Sequence, residues 1–161
     1  MALTAAHVPA PLHLLFSIGT DRYALPATAV REVLPLQRLK HVPEAPAWVA
    51  GLLSDRGQVI PVLDLCQRAL GRPARPSINT RIVLLHYSPT QTLGLILERV
   101  SQVVRLPLQT QQPMVLGAGG DYLGPVQAQD SGDIIQRITI AGLLPPDVVH
   151  ILFPQQQSTQ P

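Results

Sequence analysis

The sequence predicts an all-β protein with short helices, built as small barrels or a sandwich. Short apolar segments alternate with turn residues along most of the chain, a pattern typical of small all-β domains. The 17 prolines among 161 residues interrupt long helices, because proline has no backbone N–H to donate within a helix. A chain of this length can bury roughly 70% of its unfolded surface. We therefore expect one folded body over residues 12–153, which needs no disulfide or metal.

The first half of this body reads as two hairpins, each followed by a short helix. Residues 12–25 (LHLLFSIGTDRYAL) give two apolar strands around a Gly-Thr-Asp-Arg turn. A helical turn is expected over 27–32, between two prolines that suit its start and its end. The second hairpin spans 51–65, with Ser-Asp-Arg-Gly at its turn. Residues 65–71 then form a helix that ends at a glycine.

The same order of elements begins again near residue 81. Residues 81–87 (RIVLLHY) and 92–100 (TLGLILERV) read as strands, the second including the turn that follows it. Apolar positions of the two halves coincide at a shift of about 70 residues, and of about 75 near the end: Leu12 with Ile82, Val30 with Val100, Val59 with Ile134. The repeat predicts a duplicated β-unit, with halves at 12–78 and 79–153 that share an apolar seam. The alternative is a chance alignment of apolar strands.

Three segments lie outside this repeat or interrupt it. Residues 1–11 lack periodicity and are expected to form a flexible leader, and the polar residues 154–161 to form a disordered tail. The Gln- and Gly-rich stretch 109–121 is expected to be a long, mobile connection in the second half. Residues 109–133 as a whole match no motif that assigns them a role.

Charge and hydropathy exclude two classes of partner. The 12 cations and 10 anions leave a net charge of +2, and the cations form no cluster of the kind that binds nucleic acid. The longest apolar runs have about five residues, far short of the roughly 20 that span a bilayer. The single cysteine, Cys66, favours a reducing compartment. We expect a cytoplasmic protein that binds no nucleic acid and does not insert into the membrane.

Residues that carry catalytic chemistry are scattered along the chain. No two histidines have the spacing of a metal site, and the five are His7, His13, His41, His86 and His150. Cys66 reads as a small buried thiol rather than a nucleophile, since the sequence suggests no base beside it. The glycines at 117–120 are not followed by the Lys-Ser/Thr of a phosphate-binding loop. We expect no metal, no cofactor and no enzymatic activity.

One segment, 22–65, carries an unbroken series of motifs. They are Tyr23-Ala24-Leu25-Pro26 with Val30 and Glu32-Val33-Leu34, then Val42-Pro43, Ala45-Pro46, Val49 and Gly51, then Arg56-Gly57, Ile60-Pro61-Val62 and Asp64-Leu65. This series resembles the CheW family, the adaptor proteins of bacterial chemosensory arrays. The second half agrees more weakly, through residues 80–87, 93–106 and 133–144. The resemblance covers about residues 12–153, and its details are most similar to the CheW-type adaptors of Wsp surface-sensing pathways.

The resemblance implies both a fold and a function. The fold is two intertwined five-stranded SH3-like barrels with a hydrophobic seam, which agrees with the duplication. The function is that of a non-enzymatic scaffold, without cofactor, that couples methyl-accepting chemoreceptors to a CheA-type histidine kinase in a chemotaxis two-component system. Its partners are the cytoplasmic tip of the receptor and the CheW-like regulatory domain of the kinase. Its place is the cytoplasm, at receptor arrays on the inner membrane.

The receptor-binding residues that the resemblance implies are Val30, Glu32, Val33, Arg56 and Gly57. The two valines are expected on a one-turn helix, where they offer apolar surface to a receptor helix. Gly57 lets the turn bend, and Arg56 presents a planar guanidinium to carbonyls and carboxylates. Glu32 is the implied acidic partner that orients Arg56. The alternative is an ordinary arginine on a solvated turn.

Two features depart from this picture or leave it open. Ser54-Asp55 stands where the family often has Asn-Leu, and a negative charge at Asp55 beside Arg56 alters partner choice. Trp48, the single tryptophan, either covers the core or contacts a partner.

Rival functions are an SH3-like peptide-binding module outside chemosensory arrays, and a small hydrolase or transferase. The sequence assigns neither the kinase-binding face nor the oligomeric state, and it does not name the receptor, the kinase or the output, whether flagellar, twitching or cyclic-dinucleotide control.

Overall fold

The structure, a computed structural model, describes residues 9–107 and 121–154, and within these ranges the chain is mostly β. Its strands are β1 (Leu12–Ile18), β2 (Asp21–Pro26), β3 (Val30–Pro35), β4 (Val49–Asp55), β5 (Gln58–Asp64), β6 (Arg81–Ser88), β7 (Gln91–Arg105), β8 (Leu123–Ala128) and β9 (Ile134–Ile138). Its helices are α1 (Leu65–Leu70) and α2 (Pro146–Leu152), with 3-10 turns at Ala27–Ala29 and Ile140–Gly142. The predicted all-β class with short helices is confirmed.

The strands form two five-stranded barrels that exchange hairpins. The first barrel has the order β3, β6, β7, β5, β4, and the second has the order β7, β1, β2, β9, β8. β7 serves both because it is 15 residues long. Its residues 91–97 pair with β6, and its residues 98–105 pair with β1. The β1–β2 hairpin therefore completes a barrel with strands from the far end of the chain, which confirms the intertwined barrels.

The first barrel closes where the chain after β3 returns to β4. Lys40 and Leu52 exchange backbone hydrogen bonds, with N···O distances of 2.9 and 2.8 Å. Gly51 permits this approach, because a Cβ there would lie 2.6 Å from the carbonyl oxygen of Lys40. Closure brings the outer strands β3 and β4 close together, and the candidate site lies where they meet.

Buried apolar side chains form three clusters, and the largest is the seam between the barrels. It combines residues of both barrels and of α2, among them Phe16, Leu25, Leu63, Leu85, Leu95 and Val148. The inside of the first barrel holds Leu53, Ile60, Val62, Ile82 and Leu84. The inside of the second barrel holds Leu15, Ala24, Leu106 and Ile135. Because each barrel encloses so few side chains, the shared seam supplies most of the apolar burial that stabilises the fold.

Helix α1 lies where the sequence predicts it. The Asp64 carboxylate caps its start by accepting a hydrogen bond from the backbone N–H of Gln67 at 3.1 Å. Gly71, at a φ of 73°, ends it in the left-handed conformation that favours glycine.

Two sequence predictions about secondary structure are wrong. The helical turn expected over 27–32 is only the 3-10 turn Ala27–Ala29, and β3 begins at Val30. The cause is tertiary, since β3 pairs with β6 and pairing to a neighbouring strand overrides a weak helical preference. The strand expected over 92–100 has no turn at its end and continues to Arg105.

Most of the leader, the tail and the long connection lie outside the described residues. These are 1–8 of the predicted leader, 155–161 of the predicted tail and 108–120 of the predicted connection. Of the residues that follow position 8, Ala10 accepts a hydrogen bond from Arg105, and Pro11 accepts one from the backbone N–H of Leu106. In the described ranges, neither helix combines the length and the hydropathy required to cross a bilayer.

Candidate functional site

The five candidate residues lie at one end of the first barrel. Val30, Glu32 and Val33 belong to β3, while Arg56 and Gly57 form the two-residue turn between β4 and β5. β3 and β4 are not neighbours in the ladder, and barrel closure brings the two segments together. The contact that joins them is between Glu32 and Arg56, whose Oε2 and Nη2 atoms lie 3.4 Å apart.

A β-bulge places Val30 and Val33 on the same face. The register shifts between Val30 and Glu32, so that Val30 pairs with Leu85 and Val33 pairs with Val83. Cross-strand partners point to the same side of a sheet, and Leu85 and Val83 both belong to the seam. The one-turn helix expected to carry the two valines is absent, because both belong to β3. Val30 is half-buried, and Val33 is 42% exposed.

The turn that carries Arg56 is strained. Arg56 has a φ of 50° and Gly57 a φ of 80°, which is the conformation of a type I′ hairpin turn. Gly57 suits it, and a Cβ at this position would meet no atom within 4 Å. Arginine at the first turn position is unfavourable, since left-handed backbone costs roughly 1–2 kcal/mol for a residue with a side chain. Strain of this kind clusters at functional sites, which makes the side chain of Arg56 a candidate for selection by function.

The Glu32–Arg56 pair orients the arginine without burying it. The Arg56 side chain is 71% exposed and that of Glu32 is 28% exposed. An ion pair this open contributes about 0–1 kcal/mol to stability. Several N–H donors of Arg56 therefore face solvent.

A second ion pair, which the sequence did not predict, stands beside the first. Arg31 Nη2 lies 3.6 Å from Asp55 Oδ2, and Arg31 Nη1 donates a hydrogen bond to the hydroxyl of Thr92 at 3.4 Å. Asp55, the departure from the family pattern, thus pairs with the residue before Glu32 rather than with its own neighbour Arg56. Opposite charges at 31–32 and 55–56 are the only sequence signal, and pairing them requires knowledge of how the barrel closes.

A groove of about 800 Å³ runs alongside the turn. It is lined on one side by Gln58, Val59 and Ile60 of β5, on another by residues 90–92, and at its end by residues 151–154. Val59 is 69% exposed there. The groove adds apolar surface next to the candidate site.

Cys66 and Glu98 are held in structural roles. Cys66 is fully buried, as predicted, and burial together with the charge of Glu98 raises the pKa of its thiol to about 12. Glu98 receives two hydrogen bonds from Arg72 and one from the backbone N–H of Arg75. These bonds, the Arg72 bonds foremost, lower the pKa of the Glu98 carboxyl to about 2. In residues 9–107 and 121–154, no group of three or more His, Cys, Asp or Glu side chains is placed to bind a metal.

Trp48 covers the core and also holds a cation. The guanidinium of Arg68 in α1 lies 4.5 Å from the ring centroid of Trp48 and 4.5 Å from that of Tyr122. Arg68 also donates to the carbonyl of Leu143. Trp48 precedes β4 of the first barrel and Tyr122 precedes β8 of the second, so this stack links the two barrels.

Comparison with known proteins agrees with the fold and with the motifs at 22–65. The sequence pattern of the CheW-like domain matches residues 12–146. Protein FrzA of Myxococcus xanthus is 30% identical over 146 residues, which cover 89% of this chain and 91% of FrzA. Chemotaxis protein CheW of Treponema pallidum is 26% identical over 127 residues, 74% of each protein.

A solved structure has the same architecture. The scaffolding protein TtCheW from Thermoanaerobacter tengcongensis superposes with a TM-score of 0.74 at 24% identity, over 86% of this chain and 90% of TtCheW. The exchanged barrels and the domain match over residues 12–146 lead to one assignment: the chain belongs to the CheW-like family.

Proposed function

We propose that this chain is a non-enzymatic adaptor that couples methyl-accepting chemoreceptors to a CheA-type histidine kinase. Membership of the CheW-like family supports an adaptor role in chemotaxis signalling. The similarity to a chemotaxis protein CheW and to a scaffolding protein points in the same direction. The receptor contacts Val30, Glu32, Val33, Arg56 and Gly57, and the kinase regulatory domain binds another surface.

The observation that carries this proposal is the conformation of Arg56. Asparagine or glycine satisfies a type I′ turn at lower cost, yet the chain keeps an arginine there, with a φ of 50° and a side chain 71% exposed. The strained backbone at position 56 therefore keeps an exposed guanidinium in the turn. A role at a binding surface accounts for both facts together.

The chemistry of the site fits the tip of a helical hairpin. The end of a helix exposes backbone carbonyls that have no partner within the helix, and Arg56 offers several donors in one plane to carbonyls or carboxylates. Val33 in β3 supplies exposed apolar surface for the side of a helix. Glu32 holds the guanidinium between these two contacts.

Titration against separate partner fragments tests the proposal. The probes are the cytoplasmic-tip fragments of the chemoreceptors encoded in the source genome and the regulatory domain of the kinase encoded with them. We expect Arg56→Ala to weaken receptor binding by about 2 kcal/mol or more, the range of an interface hot spot, and to leave kinase binding unchanged. Arg56→Lys should restore part of the loss, because an ammonium group lacks the planar fork.

The same titration separates this function from its rival. An SH3-like peptide-binding module outside chemosensory arrays predicts that the unmodified chain binds neither the receptor tips nor the kinase domain. Binding to both partners, with selective loss of the receptor in Arg56→Ala, contradicts that rival.

The proposed role also predicts the cellular location of the chain. An adaptor of this kind acts in the cytoplasm, at receptor arrays on the inner membrane, and a fluorescent fusion should lose its clusters when the receptors are deleted. The finer similarity to Wsp-type adaptors stays a prediction. Identification of the response regulator encoded beside the chain tests it.

A further inference from the structure

The Arg31–Asp55 ion pair stands one residue away from the Glu32–Arg56 pair on both segments. Arg31 precedes Glu32 in β3, and Asp55 precedes Arg56 at the end of β4. The two pairs therefore cross the same gap between β3 and the turn. The chain thus places the two acids and the two arginines next to each other in sequence on both segments.

The two pairs differ in burial. The side chains of Asp55 and Arg31 are 15% and 24% exposed, whereas that of Arg56 is 71% exposed. The Oδ2 atom of Asp55 is buried and accepts no hydrogen bond from the described residues. A carboxylate in this position depends on a nearby cation, because burial of an uncompensated charge is costly. Arg31 is that cation, and the hydroxyl of Thr92 fixes its other nitrogen at 3.4 Å.

Arg56 is an alternative cation for Asp55. It follows Asp55 directly in the chain, its side chain is 71% exposed, and its pair with Glu32 is open to solvent. If Arg31 were absent, the buried carboxylate of Asp55 would attract the guanidinium of Arg56 inward. Arg56 would then lose the exposed geometry on which the proposed contact depends.

We propose that Arg31 is a positioning residue that keeps Arg56 available to the receptor by neutralising Asp55. This inference rests on the proposed function of Arg56. Arg31 does not contact the receptor in this account, and its effect on binding passes entirely through Asp55. A chain with an uncharged residue at position 55 has no need of Arg31.

A double-substitution cycle tests this dependence. Arg31→Gln should lower receptor-tip affinity about ten-fold or more, since the capture of Arg56 by Asp55 removes a hot-spot contact. Asp55→Leu, which removes the carboxylate, should leave affinity within about three-fold of the unmodified chain, and Arg31→Gln combined with Asp55→Leu should return to that level. Arg31→Lys should also keep affinity within about three-fold, because an ammonium neutralises Asp55 equally well.

A matched control tests whether the loss of one positive charge is by itself enough to lower receptor affinity. Arg38→Gln loses the same charge from an exposed position of the same barrel and should leave affinity unchanged. Thermal unfolding of every variant shows that the fold is intact. If Arg31→Gln alone does not fold, the combined variant and Arg31→Lys still carry the test, since both are expected to bind.

A measurement without receptor separates this inference from the proposed function. Nitrogen-15 relaxation of the Arg56 Nε–H group should show a mobile side chain in the unmodified chain and a more ordered one in Arg31→Gln. If the unmodified chain binds no receptor tip, the proposed function fails, and the relaxation result still decides the inference. If the combined variant binds as weakly as Arg31→Gln, or if Arg31→Gln changes neither affinity nor relaxation, Arg31 is not a positioning residue.

Discussion

Replacing Arg56 by asparagine separates the backbone strain of the turn from the contribution of the guanidinium to receptor binding. Asn-Gly is the preferred pair for a type I′ turn, and position 57 is already glycine at a φ of 80°. Arg56→Asn therefore keeps the backbone and removes the guanidinium. The substitution should weaken receptor binding strongly and leave the stability of the protein nearly unchanged or slightly higher.

The expected stability change is the sum of two small effects. Relief of the left-handed arginine at a φ of 50° stabilises by about 0.5–1 kcal/mol, a part of the roughly 1–2 kcal/mol that this backbone region costs. Loss of the open Glu32–Arg56 pair destabilises by about 0–1 kcal/mol. The net change in the free energy of unfolding lies between a loss of about 0.5 kcal/mol and a gain of about 1 kcal/mol. For a chain of this size a gain of 1 kcal/mol raises the Tm by about 2–4 °C.

Calorimetric titration with a receptor-tip fragment and thermal unfolding of the same samples provide the assay. Affinity should fall by about 30-fold or more, the equivalent of about 2 kcal/mol, while the Tm falls by no more than about 2 °C or rises. Glu44→Asn serves as the control, since Glu44 has a φ of 65° in an exposed loop and should show the relief of strain without loss of binding. A clear fall in the Tm of Arg56→Asn would refute the reasoning about strain, and unchanged affinity would refute the assignment of the site.

Three further predictions concern the fold around the site. Gly51→Ala should destabilise by about 2 kcal/mol or more, because its Cβ would lie 2.6 Å from the Lys40 carbonyl oxygen; denaturant unfolding measures this, and Gly57→Ala, whose Cβ meets nothing within 4 Å, should lose less. His13 is buried and accepts a hydrogen bond from Arg137, and burial lowers its pKa. The free energy of unfolding should therefore keep its full value above pH 6.5 and fall as the pH drops below 6.5, because the unfolded chain then binds a proton at His13 more readily. Its share of the slope is at most about 1.4 kcal/mol per pH unit, and an undiminished slope in His13→Gln would contradict it. Cys66→Ser should leave receptor and kinase binding intact in folded protein, because the thiol is buried with a pKa near 12; selective loss of either partner would show that the cysteine has a role.

The sequence predicts the elements of this fold better than their partners. Apolar runs and turn residues place both hairpins of the first half, and Gly71 marks the end of the helix after the second hairpin, because these signals are local. The exchange of hairpins between barrels followed from a family resemblance, since strand pairing between residues so far apart leaves no local trace. The wrong helix at 27–32 has the same origin, as pairing with β6 turns that segment into a strand.

In the candidate site, too, the sequence predicts the features that depend on local residues and misses those that depend on distant strand contacts. Arg56-Gly57 predicts a turn, whereas the one-turn helix expected to carry Val30 and Val33 is a strand with a β-bulge. The Arg31–Asp55 pair was not predicted, because only closure of the barrel brings β3 to the end of β4. Strain at Arg56 is likewise invisible in the sequence, since it depends on the φ angle that a two-residue turn imposes.

Reconstitution of kinase control tests the central claim most directly. Purified kinase, a receptor-tip fragment and this chain are mixed, and autophosphorylation of the kinase is measured with each component omitted in turn. The account predicts that receptor controls the kinase only when the chain is present, and that Arg56→Asn abolishes this control while it still binds the kinase regulatory domain. Receptor control that is equally strong without the chain, or that survives in Arg56→Asn, would contradict the account.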